Sequence, residues 1–197
     1  NWVTGVQTCA LPILQCAEYA DTGAVSCVGI NDVDASQHVV SQLADGGRKR
    51  IALINHDLSY KYARLRERGY KSVIHLRDLD YQAVEYASEL SSGAGMAAMQ
   101  NLLKANPPDA VFAVSDTLAA GALRAIQQAG LRVPEDIAVV GFDGTELAEM
   151  ISLTTIEQPS RDIGRKAVDL LLNKIDNPDA PTERVMMDWR FISRAST

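Results

Sequence analysis

Short apolar runs alternate along the chain with amphipathic segments, and the clearest case lies between Asp109 and Asp143. Residues 110–114 and 137–142 have the length and the composition of strands buried on both faces. Between these runs, four apolar residues recur at helical spacing: Leu118, Ala122, Leu123 and Ile126. A strand, a helix and a strand over this length predict a right-handed βαβ unit with parallel strands.

The same alternation continues on both sides of this unit. Further strands are predicted at residues 24–30, 51–54, 83–87 and 153–156, and helices at residues 35–43, 58–74, 92–103 and 160–171. At residues 185–191 apolar and polar positions alternate, which predicts one last, half-exposed strand at a sheet edge. Strands that alternate with helices in this way predict an α/β fold with a parallel sheet.

Polar side chains follow the two strands of the βαβ unit. Ser115 and Asp116 come after the first strand, and Asp143 closes the second. In an open parallel sheet, ligands bind at the carboxyl ends of the strands, so these residues are candidate ligand contacts. A plainer alternative stays open at this point, in which Asp116 only caps its helix and Asp143 only opens a loop.

Composition narrows the classes of function. The chain has 197 residues, 47% of them hydrophobic, which is enough for a substantial core. The net charge of −6 argues against a broad basic face for nucleic acid. There is no apolar run of membrane-spanning length, so no membrane association is expected. The three cysteines, Cys9, Cys16 and Cys27, lack paired spacing, which predicts reduced thiols in a cytosolic protein. The three histidines are scattered, so neither a metal nor a cofactor is expected.

Two possible catalytic patterns need to be weighed. Residues 93–98 fit the dinucleotide pattern G-x-G-x-x-A, and Asp116 lies 21 residues beyond Gly95, which leaves a nucleotide-dependent enzyme as one alternative. However, residues 88–92 separate the pattern from its strand, and Glu89 would repel phosphate. A triad of Ser115, His56 and Asp143 can also be drawn, but nothing in the sequence places these residues together. The remaining polar residues suit reversible binding of a small polar molecule, so no enzyme is predicted.

An ordered set of motifs carries a resemblance to a known family. The motifs are VGIND, SQLADGGRKRIALI, ARLRERGY, DAVFAVSDTLAAGALRAIQQAGLRVPEDIAVVGFD and LTTIEQPSRDIGRKAVDLLL. Together they resemble the C-terminal region of LacI/GalR-family bacterial transcription regulators. This resemblance implies an α/β, periplasmic-binding-protein-like fold with two doubly wound parallel-sheet subdomains, of which the first is incomplete here.

The resemblance also implies a domain organisation. Residues 16–31 and 158–183 correspond to parts of the N-terminal subdomain, and residues 32–157 and 184–197 to the C-terminal, effector-binding subdomain. Residues 1–15 fit the pattern poorly and read as a non-native segment derived from a sequencing adapter. The DNA-binding headpiece of the family has no counterpart in this sequence.

Seven effector-binding positions are implied by the matching motifs: Arg66, Asp143, Tyr62, Ser115, Asp116, Gln158 and Leu90. Arg66 matches the family arginine three residues before a helix glycine, and Asp143 matches the aspartate after the "VGF" strand. Two positions depart from the family pattern. Ser115 stands where asparagine is frequent, and Leu90 stands where an aromatic residue is common, so stacking on a flat ligand is not expected from that position.

The function implied is that of the effector-binding and dimerisation domain of a DNA-binding transcription regulator, a repressor, that senses a small polar metabolite such as a sugar or nucleoside. The resemblance implies a cytoplasmic homodimer that contacts operator DNA only through the headpiece. The alternative from another class is a periplasmic-type solute-binding protein for a sugar, which shares the fold.

Overall fold

The alternating strands and helices of the described residues form one sheet in each of two units of the chain, and most neighbouring strands are parallel. In the computed structural model, residues 12–17 and 25–197 are described. The smaller unit takes the chain up to Asn31 and residues Pro159–Asp188, and the larger unit takes Asp32–Gln158 and Trp189–Thr197. The chain therefore passes between the units after Asn31, after Gln158 and after Asp188.

The elements follow each other in a regular order. The strands are β1 (Leu14–Cys16), β2 (Ser26–Ile30), β3 (Ile51–Asn55), β4 (Ala83–Tyr86), β5 (Ala110–Ala113), β6 (Ala138–Asp143), β7 (Thr154–Glu157), β8 (Arg184–Met187) and β9 (Arg190–Ile192). The helices are α1 (Asp32–Asp45), α2 (Lys61–Leu76), α3 (Ser92–Ala105), α4 (Asp116–Gln128), α5 (Glu146–Met150) and α6 (Ser160–Asp176).

The larger unit is built on a six-stranded sheet in the order β4-β3-β5-β6-β7-β9, in which only β9 runs antiparallel to its neighbour. Strands β3 and β5 are fully buried along their length, as expected for parallel strands with both faces covered. Helix α1 packs on α2, and α3 packs on α4. From β3 the chain moves outward to β4 and then returns to β5 on the other side, so the strand order reverses between β3 and β5.

A close approach of α3 and α4 explains the glycines that matched the dinucleotide pattern. A Cβ atom at Gly95 would lie 2.2 Å from the carbonyl oxygen of Leu118 on α4, and one at Gly121 would lie 2.1 Å from the carbonyl oxygen of Ser92 on α3. Both positions therefore need glycine for helix packing. Moreover, α3 begins several residues after β4, with Ser91 Oγ accepting from the Ala94 N–H at 3.1 Å, so the pattern is not placed directly at a strand end.

The smaller unit has a parallel three-stranded sheet in the order β1-β2-β8, with α6 packed against β1 and β2. One prediction was wrong at this point. Residues 185–191 form not one strand but two, because β8 pairs with β2 while β9 pairs with β7 of the larger unit. Residues 184–188 consequently belong to the smaller unit, although the sequence placed them in the other. The apolar alternation continues unbroken from β8 into β9, so the pattern alone could not show where one strand ends and the next begins.

The segment predicted to be non-native is only partly described. Residues 1–11 lie outside the described residues, whereas Leu14 and Gln15 belong to β1 and pair with Ser26 and Cys27 of β2. These two residues are thus part of the sheet. Across residues 12–17 and 25–197, no helix combines the length and apolar character that a membrane crossing needs.

Candidate functional site

The candidate site lies where the strand order of the larger sheet reverses. After the carboxyl ends of β3 and β5 the chain continues to opposite sides of the sheet, to β4 and to β6, and ligands of open α/β sheets bind in the crevice at such a switch point. Helix α2 follows β3 and carries Arg66 near the middle of its length. The residues that surround Arg66 come from α1, β5, β6 and α2 itself, so the site is assembled from distant parts of the sequence.

Arg66 is held in one place by several contacts, and only 5% of its surface is exposed. Its Nε donates to Asp32 Oδ1 at 2.8 Å, and its Nη1 donates to the carbonyl oxygen of Val114 at 2.6 Å. The Nη1 atom also lies 3.7 Å from Asp143 Oδ1. The guanidinium lies over the ring of Phe142, with Cζ 3.5 Å from the ring centroid, and 5.0 Å from the centroid of Tyr62. A planar, permanently charged group fixed in this way gives the site a rigid centre.

Asp143 closes β6 in a backbone conformation with φ of 113°, which residues other than glycine rarely adopt. Its Oδ1 accepts from Gln158 Nε2 at 2.8 Å. Burial raises the pKa of Asp143 to about 6, and the nearby carboxylates of Asp116 and Asp32 push it the same way, while Arg66 and Gln158 oppose the rise. The Asp143 side chain is still 35% exposed, whereas that of Asp32 is 5% exposed, so Asp143 is the more accessible of the two carboxylates that pair with Arg66.

Asp116 is completely buried and makes structural hydrogen bonds within the larger unit. Its Oδ2 accepts from the N–H and the hydroxyl of Thr145 at 2.7 and 2.8 Å, and its Oδ1 accepts from the Thr155 hydroxyl at 2.6 Å. It therefore ties the loop after β6 and strand β7 to the start of α4. Gly141 leaves room for it, since a Cβ there would lie 2.5 Å from Asp116 Oδ1.

Ser115, and not Asp116, caps helix α4. The Ser115 Oγ accepts from the Leu118 N–H at 3.2 Å, which satisfies one of the free N–H groups of the first turn. The plainer alternative, in which Asp116 only caps its helix, was thus wrong, because Ser115 provides the cap. Neither Ser115 nor Asp116 presents much surface to a ligand.

Tyr62 belongs to a cluster of three aromatic rings beside Arg66. The Tyr62 hydroxyl lies 2.7 Å from His56 Nδ1. The His56 ring is stacked with that of Tyr60 at a centroid distance of 5.0 Å, and Tyr60 and Tyr62 are 5.7 Å apart. His56 directly follows β3, so its position at a strand end was the signal that could have placed it in the site.

The hypothetical triad of Ser115, His56 and Asp143 is not formed. His56 Nδ1 is engaged with Tyr62, Ser115 Oγ with the Leu118 N–H, and Asp143 with Gln158 and Arg66. Among residues 12–17 and 25–197, no group of His, Cys, Asp or Glu side chains is arranged to hold a metal ion.

Of the seven predicted site residues, four come together: Arg66, Asp143, Tyr62 and Gln158. Ser115 and Asp116 lie behind them as supports. Leu90 is 46% exposed and follows the edge strand β4, which two other strands separate from β6. Asp32 was also missed as a site residue, although an acid two residues after the strand of VGIND could have been grouped with Asp143.

Known proteins are similar to this chain in sequence. A family model described as a periplasmic binding protein-like domain matches residues 40–197. A ribose operon repressor of Haemophilus influenzae is 36% identical over 160 residues, which cover 78% of this chain and 48% of that protein. The HTH-type transcriptional repressor CytR of Escherichia coli is 34% identical over 193 residues, which cover 94% of this chain and 56% of that protein. The chain spans about half the length of the curated relatives it matches.

Solved structures share the fold. An uncharacterized protein from Actinobacillus succinogenes is 48% identical with a TM-score of 0.91, over 98% of this chain and 73% of that one. A LacI family transcriptional regulator from Enterococcus faecium with bound ribose is 26% identical with a TM-score of 0.90, over 98% and 73%. These similarities confirm the predicted fold class and the resemblance that the motifs carried. The chain belongs to the LacI/GalR family of bacterial regulators and carries its periplasmic binding protein-like domain.

Proposed function

We propose that this chain is the effector-binding and dimerisation domain of a transcription repressor that senses a small polar metabolite, a sugar or a nucleoside. The observation that carries the proposal is the position of Arg66 at the switch point of the sheet, fixed by Asp32 and the Val114 carbonyl and facing the partly exposed Asp143. Hydroxyl groups of a ligand can donate to the Asp143 carboxylate and accept from the guanidinium. The Gln158 side chain holds Asp143 in the orientation for this contact.

The names of relatives support the same class of ligand. One relative is a ribose operon repressor, and a structure of the same fold contains ribose. In this proposal the protein is a cytoplasmic homodimer without enzymatic activity, and a separate headpiece contacts operator DNA. Effector binding favours one conformation and thereby changes the affinity for DNA, which is a coupling between two sites.

The test is a calorimetric titration of the intact protein with free sugars and nucleosides, followed by DNA-binding measurements with and without the ligand found. Asp143→Asn should weaken ligand binding about tenfold or more, because a hydrogen bond to a charged acceptor is lost. Glu149→Gln, an exposed carboxylate on α5, is the matched control and should leave binding unchanged. If the ligand binds but DNA affinity does not respond, the repressor assignment is wrong.

A solute-binding protein is the second candidate, because the matching domain is described as periplasmic binding protein-like. It predicts the same Arg66 and Asp143 contacts but no binding to DNA. The titrations therefore leave the two candidates equal, and only the DNA measurement separates them. A ligand-dependent change in DNA affinity would exclude the transport role.

A further inference from the structure

We infer that the Arg66 site takes an uncharged, polyhydroxylated ligand and rejects the phosphate ester of the same compound. This inference rests on the proposed function, because it assumes that the effector contacts Arg66 and Asp143. Sugars and nucleosides occur both free and phosphorylated, and the inference states which of these two forms the site binds. Three features of the site support it.

The first feature is that the charge of Arg66 is already matched. Asp32 lies 2.8 Å from its Nε and Asp143 lies 3.7 Å from its Nη1. The guanidinium carbon also lies 3.5 Å from the centroid of the Phe142 ring and 5.0 Å from that of the Tyr62 ring, so aromatic rings occupy part of its surroundings. A phosphate group could pair with Arg66 only by competing with carboxylates that the fold holds in place.

The second feature is an excess of negative charge. Asp32 and Asp116 are buried, and the negative charge of each adds to the rise in the pKa of the Asp143 carboxyl, of which burial is the largest cause. When these groups are ionised, the carboxylates of Asp32 and Asp143 face the Arg66 guanidinium, and Asp116 adds a third negative charge that acts on Asp143. A phosphate ester brings nearly two further negative charges into the same low-dielectric region, whereas hydroxyl groups bring none.

The third feature is the start of helix α4, which is the kind of place where proteins often bind phosphate. Here the Ser115 hydroxyl occupies the Leu118 N–H, and the first residue of the helix is the buried acid Asp116. The positive end of the helix is therefore already balanced by a carboxylate. Instead of attracting an anion, this helix start adds to the negative charge of the site.

The experiment measures binding of matched compounds to the intact protein by calorimetry at pH 7.5. The compounds are D-ribose, 5-O-methyl-D-ribose and D-ribose 5-phosphate, together with adenosine and its 5′-monophosphate. The methyl ether has added bulk without charge and so separates a steric effect from an electrostatic one. We expect each phosphate ester to bind at least about tenfold more weakly than its neutral parent, because like charges in a binding site are strongly unfavourable. The affinity for the methyl ether should lie closer to that for D-ribose than the affinity for the phosphate ester does.

Two variants test the electrostatic cause. Asp143→Asn and Asp32→Asn each remove one negative charge, so the preference for the neutral compound over its ester should narrow several-fold in both. A variant that only loosened the site would weaken both compounds equally and leave the ratio unchanged. Glu149→Gln is again the control and should keep the wild-type ratio.

The outcomes separate this inference from the proposed function. If an ester binds as tightly as its parent, or if both variants keep the wild-type ratio, the inference is wrong and the sugar or nucleoside assignment stands. If none of the five compounds binds, the proposed class of ligand fails and the inference fails with it. If the esters bind weakly and the variants show a smaller preference for the neutral compound over its ester, the result supports the proposed function and this inference.

Discussion

The guanidinium of Arg66 lies on the ring of Phe142, with 3.5 Å between the guanidinium carbon and the ring centroid. Phe142 directly precedes Asp143 in β6, so one strand end supplies both an apolar floor and a carboxylate for the same arginine. Lysine could not replace this residue, because an ammonium group has neither the flat face nor the fork of donors. Arg66 therefore has a structural role in addition to the ligand-binding role that we propose for it.

Replacing Arg66 should reduce stability as well as ligand binding. Arg66→Ala removes the guanidinium that pairs with the buried Asp32, so we expect the free energy of unfolding to fall by about 3–5 kcal/mol and the effector response to be lost. In Asp32→Asn/Arg66→Met, the buried carboxylate of Asp32 is removed together with the guanidinium, so part of that stability should return while binding stays absent. Chemical denaturation measures the first effect and calorimetry the second.

Arg68→Ala is the control for these variants, since Arg68 is exposed on the same helix. It should change the free energy of unfolding by less than about 0.5 kcal/mol. Equal losses of stability in Arg66→Ala and Arg68→Ala would contradict the ion-pair explanation.

Because Asp143 titrates, the free energy of unfolding should decrease as pH rises through the acidic range, which is opposite to the usual effect of a carboxylate. Its pKa of about 6 in the folded protein lies above the ordinary value of 3.8, chiefly because of burial. Between these values the folded protein binds more protons than the unfolded chain, so the contribution of Asp143 to stability falls as pH rises from about 4 to 6. The ionised groups that face it are Arg66, Asp116 and Asp32. Thermal melts of wild type and Asp143→Asn across this range isolate the effect, because the variant lacks this titration. A constant difference in Tm between the two would exclude it.

Ligand affinity should change with pH in the opposite direction. Only the ionised Asp143 carboxylate accepts hydrogen bonds from two ligand hydroxyls. Affinity for a neutral sugar or nucleoside should therefore rise about tenfold between pH 5 and 7.5, as the group with a pKa of about 6 ionises. Asp143→Asn should bind weakly at both pH values. Calorimetry at the two pH values measures this, and an affinity that falls with rising pH would contradict the assigned role.

The contact between α3 and α4 should tolerate no side chain at Gly95. Gly95→Ala places a Cβ 2.2 Å from the Leu118 carbonyl oxygen, so we expect a loss of about 1–3 kcal/mol in the free energy of unfolding. Gly93→Ala in the same helix meets only the Ser91 hydroxyl, at 3.7 Å, and should be neutral or stabilising by up to about 1 kcal/mol. Urea denaturation compares the two variants. If Gly95→Ala were as stable as Gly93→Ala, the packing explanation of this glycine pattern would fail.

Ser196 should contribute strongly to the strands that carry the site. Its hydroxyl donates to the Val139 carbonyl at 2.6 Å and accepts from the Thr154 N–H at 2.8 Å, so it joins β6 to the start of β7. Ser196→Ala leaves both backbone groups without this partner in a buried place, at a cost of about 1–3 kcal/mol. Ser193→Ala, at an exposed position of the same segment, should cost nothing measurable. Amide hydrogen exchange at Thr154 would report the loss directly.

The sequence predicted the parts of the fold that depend on neighbouring residues. Residues 109–143 were read correctly as a βαβ unit, because each apolar run and the helix between them lie within one short segment. The role of Asp116 could not be read in the same way. Its hydrogen-bond partners Thr145 and Thr155 lie 29 and 39 residues further on, and only the folded sheet brings them to it. The division of residues 184–192 between two sheets was hidden for a similar reason, since both strands have the same apolar alternation.

The chain crosses between the two units three times, and these crossings affect the order in which the larger unit can fold in the cell. Strand β9 and Ser196 belong to the larger unit, but they are synthesised after α6 and β8, which belong to the smaller one. The growing polypeptide therefore holds β7 as an open edge, and the Thr154 N–H without its serine partner, while the intervening segment leaves the ribosome. An unpaired strand edge is the part of a nascent chain most prone to aggregate. Chaperones would thus be needed most at this stage, before β9 pairs with β7.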